Sequence, residues 1–196
     1  SLGGEGRDTS AADAVVAEIV AAGGKAIANY DDVTDWDTAE RIVAAAIAAF
    51  WNPFIRDTAV TFNPVEKSPT EIVAMIEDRQ AAGHGFLVAE QDGTVLGFAS
   101  YAQFRGGAGY ARTMEHTIIL SPAAQGTGLG RALMTALEDH ARAAGIHSLI
   151  AGVSAENPAG RAFHAALGYT EVATLPQVGH KFGRWMDLVL MQKFLT

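Results

Sequence analysis

Residues 115–130, Glu-His-Thr-Ile-Ile-Leu-Ser-Pro-Ala-Ala-Gln-Gly-Thr-Gly-Leu-Gly, join a short apolar run to three closely spaced glycines. The run 117–120 predicts a buried strand, and Ser121 and Pro122 end it. A helical pattern begins at Leu129, directly behind the glycines. Backbone N–H groups in such a loop and in the first helical turn form a cradle for an anion, most plausibly a phosphate. An ordinary glycine-rich turn between a strand and a helix is the alternative interpretation. The three glycines are Gly126, Gly128 and Gly130.

The composition of the chain limits the classes of protein to which it can belong. Its 196 residues, 49% apolar and 18% charged, are enough for one full hydrophobic core. The formal net charge of −8, without a basic run, argues against a nucleic-acid partner. The chain has no cysteine, which excludes disulfides, thiolate metal ligands and a cysteine nucleophile. The histidines also lack metal-ligand spacing, so we predict no metal site.

Neither membrane insertion nor secretion is expected from the sequence. The longest apolar stretch, residues 42–51, is too short to span a bilayer. The first residues lack the basic start and apolar segment of a signal peptide. We therefore expect a cytoplasmic protein with no membrane partner.

Hydrophobic periodicity and turn residues predict an α/β (α+β) protein, a mixed sheet with helices packed on it. The segment Ser68-Pro-Thr-Glu71 is a capping box that opens a helix, and Asp92-Gly93 between two apolar runs is typical of a hairpin. A second predicted helix ends near Pro53. The predicted helices cover residues 11–22, 38–52, 68–81 and 158–167, together with one from 129 onward. The predicted strands cover residues 26–29, 59–62, 85–90, 95–101, 110–120, 148–153, 169–175 and 185–192. The helix after the glycine loop places on one face Leu129, Leu133, Ala136, Leu137 and Ala141.

The glycine loop differs from the two best-known nucleotide-binding loops. It is not a mononucleotide P-loop, because no Lys-Ser or Lys-Thr follows Gly130. It is not a dinucleotide fingerprint either, because no acidic residue ends a second strand about 20 residues later. Instead, residues 125–130 fit Gln/Arg-x-x-Gly-x-Gly/Ala, which resembles the pyrophosphate-binding loop of the GNAT superfamily of acetyl-CoA-dependent N-acetyltransferases.

Further motifs extend this resemblance over residues 38–194. The segment from Asn157 to Gly168-Tyr169 is similar to the superfamily's Asn-then-Gly-Phe segment. The run 178–187, Val-Gly-His-Lys-Phe-Gly-Arg-Trp-Met-Asp, resembles the narrower phosphinothricin and methionine sulfoximine acetyltransferase branch. Four shorter pieces occur in the same order as in that branch: Trp51-Asn52, Thr61-Phe62, Phe104-Arg105 and Thr113-Met-Glu115-His116.

The resemblance implies a GNAT-like fold, a mostly antiparallel sheet flanked by helices, with acetyl-CoA as co-substrate. The strand before the loop would separate from its neighbour and offer backbone N–H groups to the pantetheine arm, one of them polarising the thioester carbonyl. Asn157 would contact the same arm, although an N-terminal helix cap explains this residue equally well. The residues expected to bind the cofactor are Ile118, Ile119, Leu120, Gln125, Gly126, Thr127, Gly128, Leu129, Gly130, Arg131 and Asn157.

Two catalytic residues are implied by the same resemblance. Glu115 lies at the position of the branch's proposed general base, which takes the proton of the attacking ammonium group. A cross-strand or surface carboxylate is the alternative interpretation of Glu115. His164 lies where many superfamily members carry a tyrosine that reprotonates the leaving thiolate, and it is either that acid or a partly buried contact residue. His116 should point to the opposite strand face from Glu115 and is interpreted as structural.

The implied substrate is the α-amine of a small amino-acid-like molecule, whose carboxylate calls for an arginine. Arg79 and Arg105 resemble arginines of the branch, but Gly106-Gly107 stands where the branch often has another arginine, which leaves the particular amino acid open. Aromatic residues at strand ends, which are otherwise core residues, would wall an apolar pocket: Phe62, Tyr110 and Trp185. Another amine, such as a polyamine or a protein N-terminus, and a non-catalytic acyl-CoA-binding protein are the alternatives. The family resemblance also implies a homodimer.

The N-terminal segment resembles a fragment of a different family, the short-chain dehydrogenases. Residues 21–31, Ala-Ala-Gly-Gly-Lys-Ala-Ile-Ala-Asn-Tyr-Asp, carry this resemblance. The upstream glycine loop and the Tyr-x-x-x-Lys pair of that family are missing, so we expect no nicotinamide site. We predict an N-terminal helical extension, residues 1–24, followed by the acetyltransferase domain, residues 25–196.

Overall fold

The computed structural model describes residues 36–195 and the side chains of residues 39–195. By its internal contacts the chain divides into residues 1–43 and 44–196, and the architecture below belongs to the second unit, apart from the first residues of helix α1 (Trp36–Asp57). The predicted first helix, the strand 26–29 and the dehydrogenase-like segment lie outside the described residues. So does the predicted domain boundary at residue 24.

A six-stranded sheet forms the centre of this unit, with the strand order β1-β2-β3-β4-β6-β5. The neighbours β3 and β4 are parallel and every other neighbouring pair is antiparallel. The helices are α1 (Trp36–Asp57), α2 (Pro69–Ala81), α3 (Leu129–Ala143) and α4 (Pro158–Ala166). The strands are β1 (Phe86–Gln91), β2 (Thr94–Gln103), β3 (Thr113–Leu120), β4 (Ser148–Ser154), β5 (Thr170–Lys181) and β6 (Arg184–Phe194).

Local signals in the sequence explain where several elements begin. Ser68 caps α2, because its hydroxyl accepts the Glu71 N–H while the Glu71 carboxylate accepts the Ser68 N–H. The β1–β2 turn takes the left-handed conformation at Asp92 and Gly93, with φ of 52° and 76°, as the Asp-Gly pair predicts. Asn157 caps α4 and precedes a proline at the first helical position.

Strands β3 and β4 separate part of the way along their length. They pair from Thr113 with Ser148 as far as His116 with Ala151, and no further. Strand β3 nevertheless continues to Leu120, paired with β2, while β4 continues to Ser154, paired with β6. The separation expected before the glycine loop is therefore present, and it opens a gap inside the sheet.

The main core lies between the sheet and α3. Met134, Leu137 and Leu149 are fully buried there, and each buried aliphatic side chain of this size contributes about 1.5–3 kcal/mol to folding. The predicted apolar face of α3 is confirmed at Leu133, Leu137 and Ala141. It is wrong at Ala136, which is exposed, since the buried stripe runs instead through Met134 and Glu138.

Four sequence predictions of element bounds are corrected by the structure. Residues 59–62 form a loop rather than a strand, because side chains, and not a neighbouring strand, bind its backbone. Helix α1 continues past Pro53 to Asp57, where the Thr58 hydroxyl donates to the Phe54 carbonyl. Strand β3 begins at Thr113, because a short 3₁₀ turn occupies Ala108–Tyr110. Strand β5 runs on to Lys181 through an irregularity between Leu175 and Gly179.

Candidate active site

A cavity of about 230 Å³ lies in the gap between β3 and β4. Both strands line it beyond the point where their pairing ends, and Trp51 of α1 and Leu188 of β6 close its sides. The loop after α1 supplies a further wall, formed by Val60, Thr61 and Phe62. Asn157, which caps α4, and His164 of α4 complete it.

Alternate residues of β3 reach opposite faces of the sheet, and both faces meet in this cavity. Phe98 pairs with Ile119 and packs on Trp51 at 5.0 Å between ring centroids, so Ile119 and Glu115 lie on the α1 face. The side chain of Leu120 lies against the position of Gly130, so the even-numbered residues of β3 lie on the face of the glycine loop. The cavity thus connects a face that carries a carboxylate to a face that carries a glycine-rich loop.

Glu115 presents its carboxylate to the cavity from the α1 face. The side chain remains open to solvent, yet desolvation by the surrounding protein raises its pKa above the usual value. Gly152 of β4 makes room for the carboxylate, since a Cβ there would lie 2.7 Å from Oε1 of Glu115. A carboxylate with a raised pKa in a cavity is suited to accepting a proton from a bound group and releasing it again.

Two buried histidines face each other on the other side of β3. The Nε2 atoms of His116 and His164 lie 3.0 Å apart, and the rings of both pack on Tyr169. Burial lowers the pKa of His164, and burial together with the neighbouring His164 lowers the pKa of His116 far below its usual range. Both rings are therefore neutral near pH 7.

The hydrogen bonds of the pair fix where its protons lie. Nδ1 of His164 is 2.7 Å from the carbonyl oxygen of Gly160, which can only accept, so Nδ1 carries the proton. In a neutral ring Nε2 of His164 is then an acceptor, and Nε2–H of His116 donates to it. In this neutral state His164 has no proton at Nε2 to give to a leaving group.

The glycine loop has the geometry expected of an anion cradle. Gly126 and Gly128 have φ of 76° and 87°, left-handed conformations that suit glycine, and their N–H groups make no hydrogen bond within the described chain. Gly130 is buried under Leu120, where a Cβ would lie 2.8 Å from Cδ1 of that leucine. Free N–H groups at the start of α3 fit the pyrophosphate of acetyl-CoA, the co-substrate that the sequence resemblance implies.

The backbone of β3 supplies further donors beside this loop. The Ser121 N–H donates to the Leu96 carbonyl of the neighbouring chain segment, and such bonds repeat at every second residue of an antiparallel pair. The N–H of Ile119 therefore faces β2, whereas those of Ile118 and Leu120 face the gap. Donors in this position are free to bind the amide groups of a pantetheine arm.

Asn157 has two polar ends with different roles. Its side-chain oxygen accepts the Gly160 N–H at 2.8 Å, which confirms the helix-cap interpretation. The residue also lines the cavity, so that its amide nitrogen is near any group bound there. Contact with a pantetheine arm remains a prediction.

The predicted substrate-binding residues are not all brought together. Phe62 lines the cavity, whereas the other predicted residues do not. Arg79 lies in the last turn of α2, and its Nε is buried without a hydrogen-bond partner. Arg105 is exposed in the loop after β2, with its guanidinium 5.5 Å from the ring centroid of exposed Tyr110. Trp185, at 60% exposed, lies on β6 away from the cavity.

The sequence did not single out four residues that shape this site. His116 was interpreted as structural because strand alternation turns it away from Glu115, but the gap between β3 and β4 exposes both faces to one cavity. Trp51 belonged to a quoted motif without a role of its own, and Gly152 was one residue of the predicted strand 148–153. Lys181 belonged to a quoted motif without a role, and only the fold brings it to the loop after α1.

Within residues 36–195, no helix is both long and apolar enough to cross a membrane.

Sequence and structure comparisons place the chain among known proteins. Residues 39–169 match the Acetyltransferase (GNAT) family. The L-methionine sulfoximine/L-methionine sulfone acetyltransferase of Salmonella typhimurium is 41% identical over 79% of this chain and 90% of its own length. The phosphinothricin N-acetyltransferase of Alcaligenes faecalis is 37% identical over 77% of each chain. The solved structure of yncA from Salmonella typhimurium with its cofactor acetyl-CoA has a TM-score of 0.76 at 40% identity, and the match covers 80% of this chain and 90% of that one.

These matches confirm the mixed, mostly antiparallel fold and the co-substrate that the sequence resemblance implied. They also agree with the free donors of the glycine loop and with the gap between β3 and β4. The chain therefore belongs to the GNAT family and is an acetyl-CoA-dependent N-acetyltransferase.

Proposed function

We propose that the protein transfers an acetyl group from acetyl-CoA directly to the α-amine of a small amino-acid-like substrate. Methionine sulfoximine, methionine sulfone and phosphinothricin, named in the relatives, are the first substrates to test. The observation that carries the proposal is the Glu115 carboxylate in a cavity that continues, through the gap between β3 and β4, to the face of the glycine loop.

Glu115 acts as the general base in this proposal. Its carboxylate takes a proton from the ammonium group, directly or through a water molecule, and leaves a neutral amine. The amine nitrogen bonds to the thioester carbonyl carbon, the carbon–sulfur bond breaks, and the sulfur leaves as a thiolate. The acylated nitrogen then loses its second proton to solvent and becomes a neutral amide. Bound acetyl-CoA supplies the activated acetyl group. The N–H groups of Ile118 and Leu120 point into the gap and stabilise the carbonyl oxygen as charge develops on it.

We propose that His164 returns a proton to the thiolate after taking one up from solvent at Nε2, which makes its ring an imidazolium. Because Nδ1–H of His164 is bound to the Gly160 carbonyl, Nε2 is the nitrogen that gains and then gives this proton. His116 is not its source, since a neutral His116 that lost its Nε2 proton would become a buried imidazolate.

The remaining cofactor and substrate assignments are proposals of the same kind. We assign the pyrophosphate to residues 125–131, the pantetheine arm to Asn157 and β3, and an apolar part of the substrate to Phe62. The substrate carboxylate is assigned to Arg79 and Arg105, with Tyr110 beside the latter. These three residues lie outside the cavity of one chain, so they would have to meet the substrate at its mouth.

A coupled pair of measurements tests the reaction. Thiol release from acetyl-CoA should occur with one or more of the named amino acid analogues, and less with a polyamine or an N-terminal peptide. Calorimetry should show that Glu115→Gln binds acetyl-CoA about as well as the wild type while its turnover is much lower. Acetyl-CoA binding without thiol release for any amine would instead support a non-catalytic acyl-CoA-binding protein.

The pH profile gives a separate test of Glu115. Since a general base works only when ionised, wild-type kcat/KM should fall as pH drops through the pKa of Glu115, which is raised above 4.5. Glu115→Gln should lose this acidic limb. Wild-type turnover of the variant across the pH range would exclude Glu115 as the base.

We also propose a homodimer, a cytoplasmic location and a catalytic domain that starts near residue 25. The edge strand β5 exposes nearly all of its residues, among them Val172 and Val178, which supports association through this strand. Use of acetyl-CoA supports the location. Light scattering of the purified protein and fractionation of cells that express it test the first two proposals.

A further inference from the structure

Lys181, at the end of β5, is a buried cation without an ion-pair partner among residues 39–195. Its side chain is 4% exposed. The ammonium group donates to the carbonyl oxygens of Thr58 and Thr61, at 2.7 and 2.9 Å. Burial lowers the pKa of Lys181, which the more distant carboxylate of Asp57 partly opposes. A buried charge without an ion pair is costly, and the two carbonyl oxygens offset part of this cost.

The two carbonyls belong to the loop that forms one wall of the cavity. Residues 58–62 pair with no strand, so their backbone lacks the regular partners of a sheet. Lys181 binds this loop at both ends of the segment that contributes Val60 and Thr61 to the cavity. It therefore joins the wall to the sheet across 120 residues of sequence.

Phe182 completes the surroundings of the ammonium group. Its ring centroid lies 4.9 Å from Nζ of Lys181, within the range of a cation–π interaction. Phe182 and Gly183 form the two-residue turn between β5 and β6, with φ of 54° and 71°. The β1–β2 turn has nearly the same conformation with Asp92 and Gly93, a pair that favours it, whereas phenylalanine does not. The contact of its ring with the Lys181 ammonium group explains why phenylalanine occupies a left-handed turn position that it does not favour.

Gly179 fixes the loop at a third point. The ring of Phe62 occupies the space that a side chain at position 179 would fill. Lys181 is two residues further along the same strand and reaches the same loop. Three contacts, to the carbonyls of residues 58 and 61 and to the ring of residue 62, thus hold the wall against β5.

This wall belongs to the face of the sheet on which the amine is deprotonated. The loop follows directly from α1, the helix whose Trp51 packs on the same face as Glu115. The glycine loop and α3 lie against the other face. A shift of the loop would therefore alter the α1 face of the cavity, where the amine binds, more than the face of the glycine loop, where acetyl-CoA binds.

We propose that Lys181, with the Phe182 ring over its ammonium group, is a positioning residue that holds loop 58–62 as the acceptor wall and thereby sets the affinity for the amine substrate. This inference rests on the proposed function, because it takes the α1 face of the cavity as the amine site. It assigns Lys181 no contact with substrate and no part in proton transfer.

The first test is Lys181→Met, which keeps the length of the side chain and removes its charge. The variant should raise the KM for the amine by about tenfold or more while kcat changes much less, the signature of lost substrate binding. The affinity for acetyl-CoA, measured by calorimetry, should change by less than about twofold. Lys193→Met is the matched control, since Lys193 is half-buried, forms an ion pair with Glu138 at 2.5 Å, and does not line the cavity. It should lower the thermal midpoint without a selective change in amine KM.

The second test is Phe182→Asn, which separates positioning from stability. Asparagine favours the left-handed turn, so the thermal midpoint should hold or rise, while loss of the ring over Lys181 should raise the amine KM. Asp92→Asn, in the equivalent turn of β1 and β2, is the control and should leave the KM unchanged. Light scattering of each variant checks that its mass in solution is that of the wild type.

The outcomes distinguish this inference from the proposed function. A wild-type amine KM in folded Lys181→Met, or an equal rise in KM for both substrates, overturns the positioning role of Lys181. If Lys181→Met does not fold, Phe182→Asn decides alone, and a wild-type amine KM there also overturns it. If the wild-type protein binds acetyl-CoA but acetylates no amine, the proposed function is overturned, and with it the positioning role of Lys181.

Discussion

Gly152 decides how closely β4 can approach the carboxylate of Glu115. We expect Gly152→Ala to lower kcat by about ten- to a hundredfold, because the new methyl group would lie 2.7 Å from Oε1 and has to displace it. The other nearby atoms, in Leu188, lie at 3.7 and 3.9 Å, an ordinary contact distance, so the fold should tolerate the change. Steady-state kinetics together with acetyl-CoA calorimetry measure the two effects.

Gly106→Ala is the matched control for that substitution. Gly106 has no atom within 4 Å of an added Cβ and does not need a left-handed backbone, so its variant should behave as the wild type does. Wild-type turnover in Gly152→Ala, with the protein folded, would contradict the close contact with the carboxylate.

Single residues were predictable where the signal was local. Glu115 could be proposed because it lies in a motif that resembles the acetyltransferase branch, and in the structure it lines the cavity. The pair of His116 and His164 was not predictable, because their nitrogens meet across 48 residues of sequence and on a gap that no periodicity reveals. The contacts of Lys181 were not predictable either, because its partners precede it by more than a hundred residues.

Helices and strands were also predictable where they depend on local contacts, and not where they depend on residues distant in sequence. The helix opened by Ser68 and the hairpin at Asp92-Gly93 depend on contacts within four residues, and both are confirmed. The sequence of residues 59–62 predicts a strand, but the structure shows a loop. The Lys181 ammonium, and not a neighbouring strand, binds the carbonyl groups of residues 58 and 61. The end of α1 was misplaced because a proline usually stops a helix, whereas here the chain continues past Pro53 for another turn.

The capping box of α2 gives a stability prediction at this scale. Ser68→Ala should lower the free energy of unfolding by about 0.5–2 kcal/mol, because the Glu71 N–H loses its acceptor. Hydrogen bonds from Ser68 also lower the pKa of the Glu71 carboxyl. Their stabilising contribution is present above the unfolded pKa and is lost as pH falls through the lower folded value. The penalty of Ser68→Ala should therefore shrink in acid.

Urea denaturation at neutral and acidic pH measures both effects. Thr70→Ala, an exposed change in the same first turn that makes no cap, is the control and should cost little. Equal stabilities of the Ser68 and Thr70 variants at neutral pH would show that the box contributes nothing to the fold.

At the scale of the whole molecule, one topological feature makes the site possible. The parallel pair β3 and β4 lies in the middle of the sheet and separates beyond His116 and Ala151. Each strand stays paired with its outer neighbour, so the sheet holds together while the edges that face the gap keep free backbone groups. Acetyl donor and amine can then approach from opposite faces and meet at the backbone of β3.

The extent of the catalytic unit gives the last prediction. The family match begins at residue 39, and every residue assigned to the cavity or to its supporting contacts lies at Trp51 or beyond. We expect a variant that lacks residues 1–23 to keep the thermal midpoint and the kcat/KM of the full chain. A variant that lacks residues 1–48 is the contrasting control, because it loses Ala44 and Ile47, which are fully buried, and should unfold or melt far lower. If the shorter deletion lost activity at an unchanged thermal midpoint, residues 1–23 would have a part in substrate binding or assembly, and the extension would belong to the enzyme's function.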